Sequence, residues 1–162
     1  MSGVIQLSPI GTIHSPHQQA KGTPIQPRWA QGIEGYADID TALVPGLRDL
    51  GGIERIWLIY WFDRAGPTAL EVVPFMDDKP HGIFATRAPT RPNRIGISSV
   101  RLLRIEGCRL HLSDLDILDG TPLLDIKPYL PTCDVFAVRG LGWYAEARGD
   151  GKADGRFNAD KD

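Results

Sequence analysis

Cysteine is scarce: Cys108 and Cys133 are the only two in a chain of 162 residues. They have neither the paired spacing of a zinc site nor the density of a disulfide framework, and they suit a reducing compartment. Long apolar runs are missing as well. The longest, Ile56 to Phe62, is the size of a strand, far short of the roughly 18 residues of a membrane-spanning helix. The first ten residues have no basic start and no apolar stretch, so they do not read as a secretory signal, and the expected location is the cytoplasm. Excess positive charge is absent. A net charge of −2 excludes a whole-protein field that gathers nucleic acid, so any such contact must use a local patch. One stretch offers it: Arg87, Arg91, Arg94, Arg101, Arg104 and Arg109 share their segment with a single carboxylate, Glu106. Solvated arginines on the polar face of strands would give the same pattern.

What is abundant is turn chemistry. Eighteen glycines and 13 prolines cut the chain into short segments. Residues 10–14 and 35–39 read as strands separated by an extended loop rich in Pro, Gln and Gly. Pro45 to Leu50 suits one helical turn. Ile56 to Phe62 suits a strand buried on both faces, with further strands at 70–75 and 82–86. The strongest alternation runs from Ile97 to Leu115. There Val100, Leu102, Leu110 and Leu112 alternate with polar residues around Gly107, which predicts a hairpin with one wet face. Strands are also expected at 122–126 and 134–139, and a short helix at 141–147. Residues 1–148 thus read as one domain, and 149–162 as a loose polar tail. Many short strands with close turns predict an all-β protein, a small barrel or sandwich with short helical turns.

Several patterns carry no chemistry. Gly140-Leu141-Gly142-Trp143-Tyr144-Ala145 fits G-x-G-x-x-A, but too few residues follow for the strand–helix–strand unit that gives that motif meaning. His14 and His17 flank Pro16 and cannot share a helical face. His81 and His111 lack close acidic or cysteine companions, so no metal site is expected.

Two segments look like a site. In residues 82–96, GIFATRAPTRPNRIG, two X-Pro steps stiffen the backbone and present Arg87, Arg91, Asn93 and Arg94. Guanidinium forks suit carboxylate or phosphate. In residues 115–129, LDILDGTPLLDIKPY, Asp116, Asp119 and Asp125 lie among apolar neighbours. Buried carboxylates need partners, and Arg87 or Lys127 could serve. Asp119 alone is accounted for by its Asp-Gly turn.

These two segments resemble the signature stretches of the TsaA-like (TrmO, YaeB) family, and Ile10 to Pro16 and Pro24-Ile25-Gln26 resemble its opening strand and loop. The resemblance spans about residues 8 to 131. It implies a small β-barrel that binds S-adenosylmethionine without a Rossmann fold, works as a homodimer, and N6-methylates threonylcarbamoyl-adenosine beside the tRNA anticodon. By motif position the cofactor would touch Pro24, Ile25, Gln26, Asp63, Arg64, Arg87 and Ile97. It would also touch the turn Asp119, Gly120, Thr121, Pro122 and Leu123. Arg91, Asn93, Arg94 and Lys127 would face RNA. Phe62-Asp63-Arg64 stands where the tRNA enzymes have Phe-His-Gln.

A methylated amine sheds a proton, and a nearby acceptor assists; Asp119 and Asp116 are the candidates. Three other readings stay open: methyl transfer to a small molecule or another RNA, a non-catalytic module that binds the cofactor or RNA, and a structural β-barrel with no ligand.

Overall fold

The computed structural model describes residues 3–159. Six antiparallel strands close a barrel: β1 (Gly11–His14), β2 (Gly35–Ile39), β3 (Arg55–Trp61), β6 (Ile95–Glu106), β7 (Arg109–Ser113) and β8 (Thr121–Pro128). Their order around the barrel is β1-β2-β7-β6-β3-β8. Two short strands, β4 (Glu71–Val72) and β5 (His81–Gly82), form a separate ribbon. The expected all-β class is the class observed.

Side chains alternate across each strand, so one set fills the interior. Ile13, Ala37, Ile56, Leu58, Val100, Leu110, Leu112 and Leu123 are fully buried there, and Leu115 caps them from the loop after β7. Burying each large side chain contributes about 1.5–3 kcal/mol. β6 serves two neighbours. Its first half pairs with β3 and its second with β7, and the register slips between Leu102 and Arg104. Such a bulge bends a strand around a barrel corner. A second slip, between Ile59 and Tyr60 of β3 against β8, lies next to the cavity described below.

Several expected elements differ. β3 is buried on one face only: Ile56, Leu58 and Tyr60 point inward, while Trp57, Ile59 and Trp61 do not. A closed barrel has a single interior, so apolar content in a strand does not make both faces buried. The strand expected at 82–86 is a 3-10 turn over Ile83–Ala85, because an Arg91 guanidinium N–H donates to the carbonyls of Ile83 and Thr86 and folds the segment back. The strand expected at 70–75 shrinks to β4. The helical turn expected from Pro45 starts earlier, spanning Thr41–Leu47, where the Asp40 carboxylate accepts from the Ala42 N–H at 2.9 Å. The strand expected at 134–139 does not form. A short helix, α1 (Pro131–Asp134), precedes it, and a closed barrel offers no edge for another strand to join. Val135, Phe136 and Val138 are left exposed. A 3-10 turn at Gly142–Glu146 matches the expected short helix.

Composition marks residues 149–162 as loose, yet those described, up to 159, are tied down. Lys152 bridges to Pro24, and Asn158 to Ala65. The Ile25 N–H donates to Gly151 O and the Gly66 N–H to Phe157 O, both at 2.8 Å. Phe157 packs edge-on to Phe75 with centroids 5.0 Å apart. One buried aromatic and a row of backbone bonds hold the strap despite its polar side chains. Gly151 is essential to it: φ is +75°, and a Cβ there would sit 2.3 Å from the Trp29 ring. Gly151→Ala is therefore expected to release the strap. Limited proteolysis should then cut after residue 148 while the barrel stays resistant, and an unchanged digestion pattern would refute this.

Candidate functional site

Beside the barrel, between it and the strap, lies a cavity of about 650 Å³. That is within the usual range of small-molecule sites. Four regions distant in sequence meet around it: the 20–29 loop, the end of β3 with residues 62–65, the stiff 86–97 segment, and residues 116–121. The strap and the 141–144 turn complete the wall.

Most of the expected cofactor residues converge here. Pro24, Ile25 and Gln26 line one wall, Asp63 and Arg64 another, and Arg87, Ile97 and Thr121 also face the cavity. An Arg87 guanidinium N–H donates to Gln26 Oε1 at 2.5 Å, and one from Arg64 donates to Thr121 Oγ1 at 3.0 Å. Arg64 also lies 3.4 Å from Asp63 Oδ1. The guanidiniums are thus pre-aimed, with donors to spare.

The rest of the 119–123 turn does not line the cavity; it builds the turn that presents Thr121. Leu123 is fully buried in the barrel core. Pro122 pairs with Thr12 of β1. Gly120 takes a positive φ of 78°. Asp119 Oδ1 accepts from the Ser15 N–H and lies 3.2 Å from His14 Nδ1. Burial pushes the Asp119 carboxyl up, but bonds from Ser15, Gln18 and His14 outweigh it and hold the group below the usual range. Of the two carboxylates expected to accept a proton, Asp119 is a turn fastener, because its lone pairs are committed to the β1 loop.

Asp116 is different. It lines the cavity, and its Oδ1 is buried without any hydrogen-bond partner. Burial raises the carboxyl to about 7, against the opposing pull of Ser98, its own backbone N–H and Arg87. An orphaned buried oxygen costs on the order of 1–3 kcal/mol unless a ligand donates to it. Tyr60 stands next to it, with its hydroxyl 3.1 Å from Ser98 Oγ. Burial, reinforced by Asp116, pushes the Tyr60 phenol far up, so it stays protonated. Gly96 makes this packing possible, since a Cβ there would sit 2.3 Å from the Tyr60 ring.

The arginine strip does not form the open patch that its spacing suggests. Arg91 is spent on main-chain carbonyls. Arg104 lies 2.8 Å from Glu106 Oε1. Arg109 makes a two-pronged bond to Asp38 and stacks on Tyr36, with its guanidinium carbon 3.9 Å from the ring centroid. Arg101 lies 3.7 Å from Glu54. Lys127 pairs with Asp125 at 2.9 Å, on the face of β8 away from the core. Asn93 is exposed and Arg94 half-buried, in a tight bend where Arg94 has a φ of +47°. His81 and His111 do have acidic companions, Asp77 at 2.8 Å and Glu106 at 2.9 Å. These are pairs, and no group of three or more metal-type ligands occurs among the described residues.

Sequence reasoning missed Tyr60, Ser98, Trp143, Tyr144, Phe157 and Asn158. The first two lie on inward strand positions that read as core. The next two lie inside the discarded glycine motif, where the adjacent aromatic pair was the available signal. The last two belong to the segment whose composition suggested a loose tail.

A closed antiparallel barrel with a lateral cavity, rimmed by guanidiniums and floored by a buried carboxylate, defines a small-molecule-binding barrel domain. The chain belongs to the TrmO family, because residues 12–135 match the model of the tRNA-methyltransferase O N-terminal domain. Relatives agree. A Pyrococcus abyssi protein named a probable S-adenosyl-L-methionine-binding protein is 48% identical over 92% of this chain and 85% of its own length. The Homo sapiens tRNA (adenine(37)-N6)-methyltransferase is 30% identical over 82% of this chain, but over only 32% of its own length. The crystal structure of TrmO from Pseudomonas aeruginosa superposes with a TM-score of 0.73 at 38% identity, covering 87% of this chain and 63% of that one. The chain thus spans under two thirds of that solved relative.

Proposed function

We propose that the protein is an S-adenosylmethionine-dependent methyltransferase that N6-methylates the modified adenosine beside the tRNA anticodon. The observation that carries this reading is the cavity itself. It supports the reading by bringing most of the residues expected at the cofactor around an orphaned carboxylate oxygen that calls for an N–H donor. The relatives' names supply the cofactor and the acceptor class.

The residues present fit the cofactor. Arg64 and Arg87 match its carboxylate, and Asp63 its ammonium or ribose hydroxyls. Gln26 and Thr121 offer further polar contacts, and Pro24, Ile25 and Ile97 an apolar bed for its adenine. When bound, the cofactor supplies an activated methyl group on a sulfonium. The chain's own task is then placement and proton handling. Asp116 takes the proton that the acceptor amine loses, and its carboxyl, raised to about 7, is matched to that work near neutral pH. Tyr60 and Ser98 hold one another and fix the surroundings of Asp116. The strap and the 141–144 turn exclude water from one side. Asn93 and Arg94 remain as points for RNA phosphates.

The protein works in the cytoplasm as a homodimer in this reading. Two free cysteines suit a reducing compartment. Val135, Phe136, Val138 and Leu141, each at least 60% exposed, supply an apolar strip suited to a second copy.

Thermal denaturation tests the cofactor. Saturating S-adenosylmethionine at about 100 times its dissociation constant should stabilise the fold by roughly 2.7 kcal/mol, and an unchanged melting temperature would exclude it. Labelled methyl transfer to bulk tRNA, against a small-molecule pool, tests the acceptor.

A further inference from the structure

An aromatic column stands at the cavity wall with no role in holding the barrel together. His81 stacks on Trp143 with centroids 4.2 Å apart and planes 16° from parallel. Trp143 stacks on Tyr144 at 3.9 Å and 27°. The column is braced at its base, where His81 Nε2 lies 2.8 Å from Asp77 Oδ2. It is also braced at its centre, where Trp143 Nε1–H donates to Ala85 O at 2.9 Å. Its far end is free: Tyr144 is 39% exposed, and both it and Trp143 line the cavity.

We propose that the open face of Tyr144 receives the purine ring of the acceptor base, extending the stacked column by one ring and fixing that base over the cavity. This rests on the methyltransferase reading above. Two considerations lead to it. Stacked rings offer a planar ligand the geometry that single-stranded bases use on proteins. The column is pre-ordered by two hydrogen bonds, so a ring adds to it without first ordering side chains.

The purine could instead come from the cofactor's own adenine, and the experiment separates the two sources. Tryptophan fluorescence is followed while either S-adenosylhomocysteine or an anticodon stem-loop RNA is added to the full chain. A Trp143→Phe control isolates the signal of that residue. The RNA should quench Trp143, and S-adenosylhomocysteine alone should not. Tyr144→Ala should abolish the RNA quenching and raise KM for tRNA about ten-fold or more, leaving cofactor affinity unchanged. Tyr144→Phe, which keeps the ring and loses only the hydroxyl, should behave as the parent does. Two results overturn the proposal: an unchanged KM in Tyr144→Ala at parental melting temperature, or quenching by S-adenosylhomocysteine that Tyr144→Ala removes. Because quenching needs no turnover, a parent protein that stacks RNA without methylating it would refute the methyltransferase reading and leave the stacking site standing.

Discussion

Replacing Asp116 with Asn should lower methyl-transfer turnover by roughly 10²- to 10⁴-fold, the usual worth of a positioned base, while calorimetry shows cofactor still bound. The pH dependence sharpens the test. The carboxyl is raised by burial to about 7, and only its ionised form accepts a proton. The parental rate should climb with pH and level off above that value, and the variant should lack this limb. Stability should move the opposite way. A carboxyl whose folded pKa lies above its unfolded value, about 3.9, favours the fold fully at low pH. That contribution is lost as pH rises through about 7, because the folded protein must then hold a buried charge whose Oδ1 has no hydrogen-bond partner. At pH 8, Asp116→Asn should therefore melt higher than the parent. Full turnover in the variant, or a pH profile unchanged in shape, would rule Asp116 out.

Asp114, two residues earlier, should show the reverse. It is buried with a φ of +67°, and it accepts from Arg55 Nη2 at 2.6 Å and from the Gly32 N–H at 3.0 Å. Arg55 donates in turn to Ser99 O at 2.7 Å. One ion pair thus ties β3, β6 and the end of β7 to the loop that carries the cavity wall. Burial pushes the Asp114 carboxyl up, but the Gly32 and Arg55 bonds outweigh it and leave it below the ordinary range. Its contribution is therefore present above the unfolded pKa and lost as pH falls through the folded one. Arg55→Met leaves that charge buried and unpaired, and should cost about 3–5 kcal/mol in urea denaturation at pH 7. Adding Asp114→Asn to it should recover part of the loss, since Asn tolerates positive φ and carries no charge. A loss below about 1 kcal/mol for Arg55→Met would show the pair to be solvated like a surface bridge.

The contrast between these carboxylates shows what sequence could reveal. Alternation along Val100, Leu102, Leu110 and Leu112 displayed the β6–β7 hairpin directly, because a half-buried strand writes its two faces into the chain. The all-β class followed from the same signal. Whether an aspartate has partners is decided across the barrel, by Ser15 for Asp119 and by Arg55 for Asp114. No local pattern carries that information, so Asp116 and Asp119 read alike. The arginine strip misled for the same reason: Asp38 and Glu54, which engage Arg109 and Arg101, come from distant segments. The strap was illegible because its anchoring is mostly main-chain hydrogen bonding, which composition does not record.

The barrel closes where β1 meets β8, with Gly11 opposite Leu123 and Ile13 opposite Thr121. Almost the whole family domain must therefore leave the ribosome before the first strand finds one of its two neighbours. Until then β1 and β3 each present an unpaired edge, and the interior stays open to solvent. Closure of so long a loop makes for slow folding, and the waiting chain is open to strand exchange with other nascent copies. The turn at residues 119–121 is the last part of that seam, with the Gly120 N–H donating to Ile13 O at 2.8 Å. Zipping the barrel shut and setting Thr121 at the cavity are thus one kinetic event, so binding competence should appear in the same phase as the loss of exposed edges.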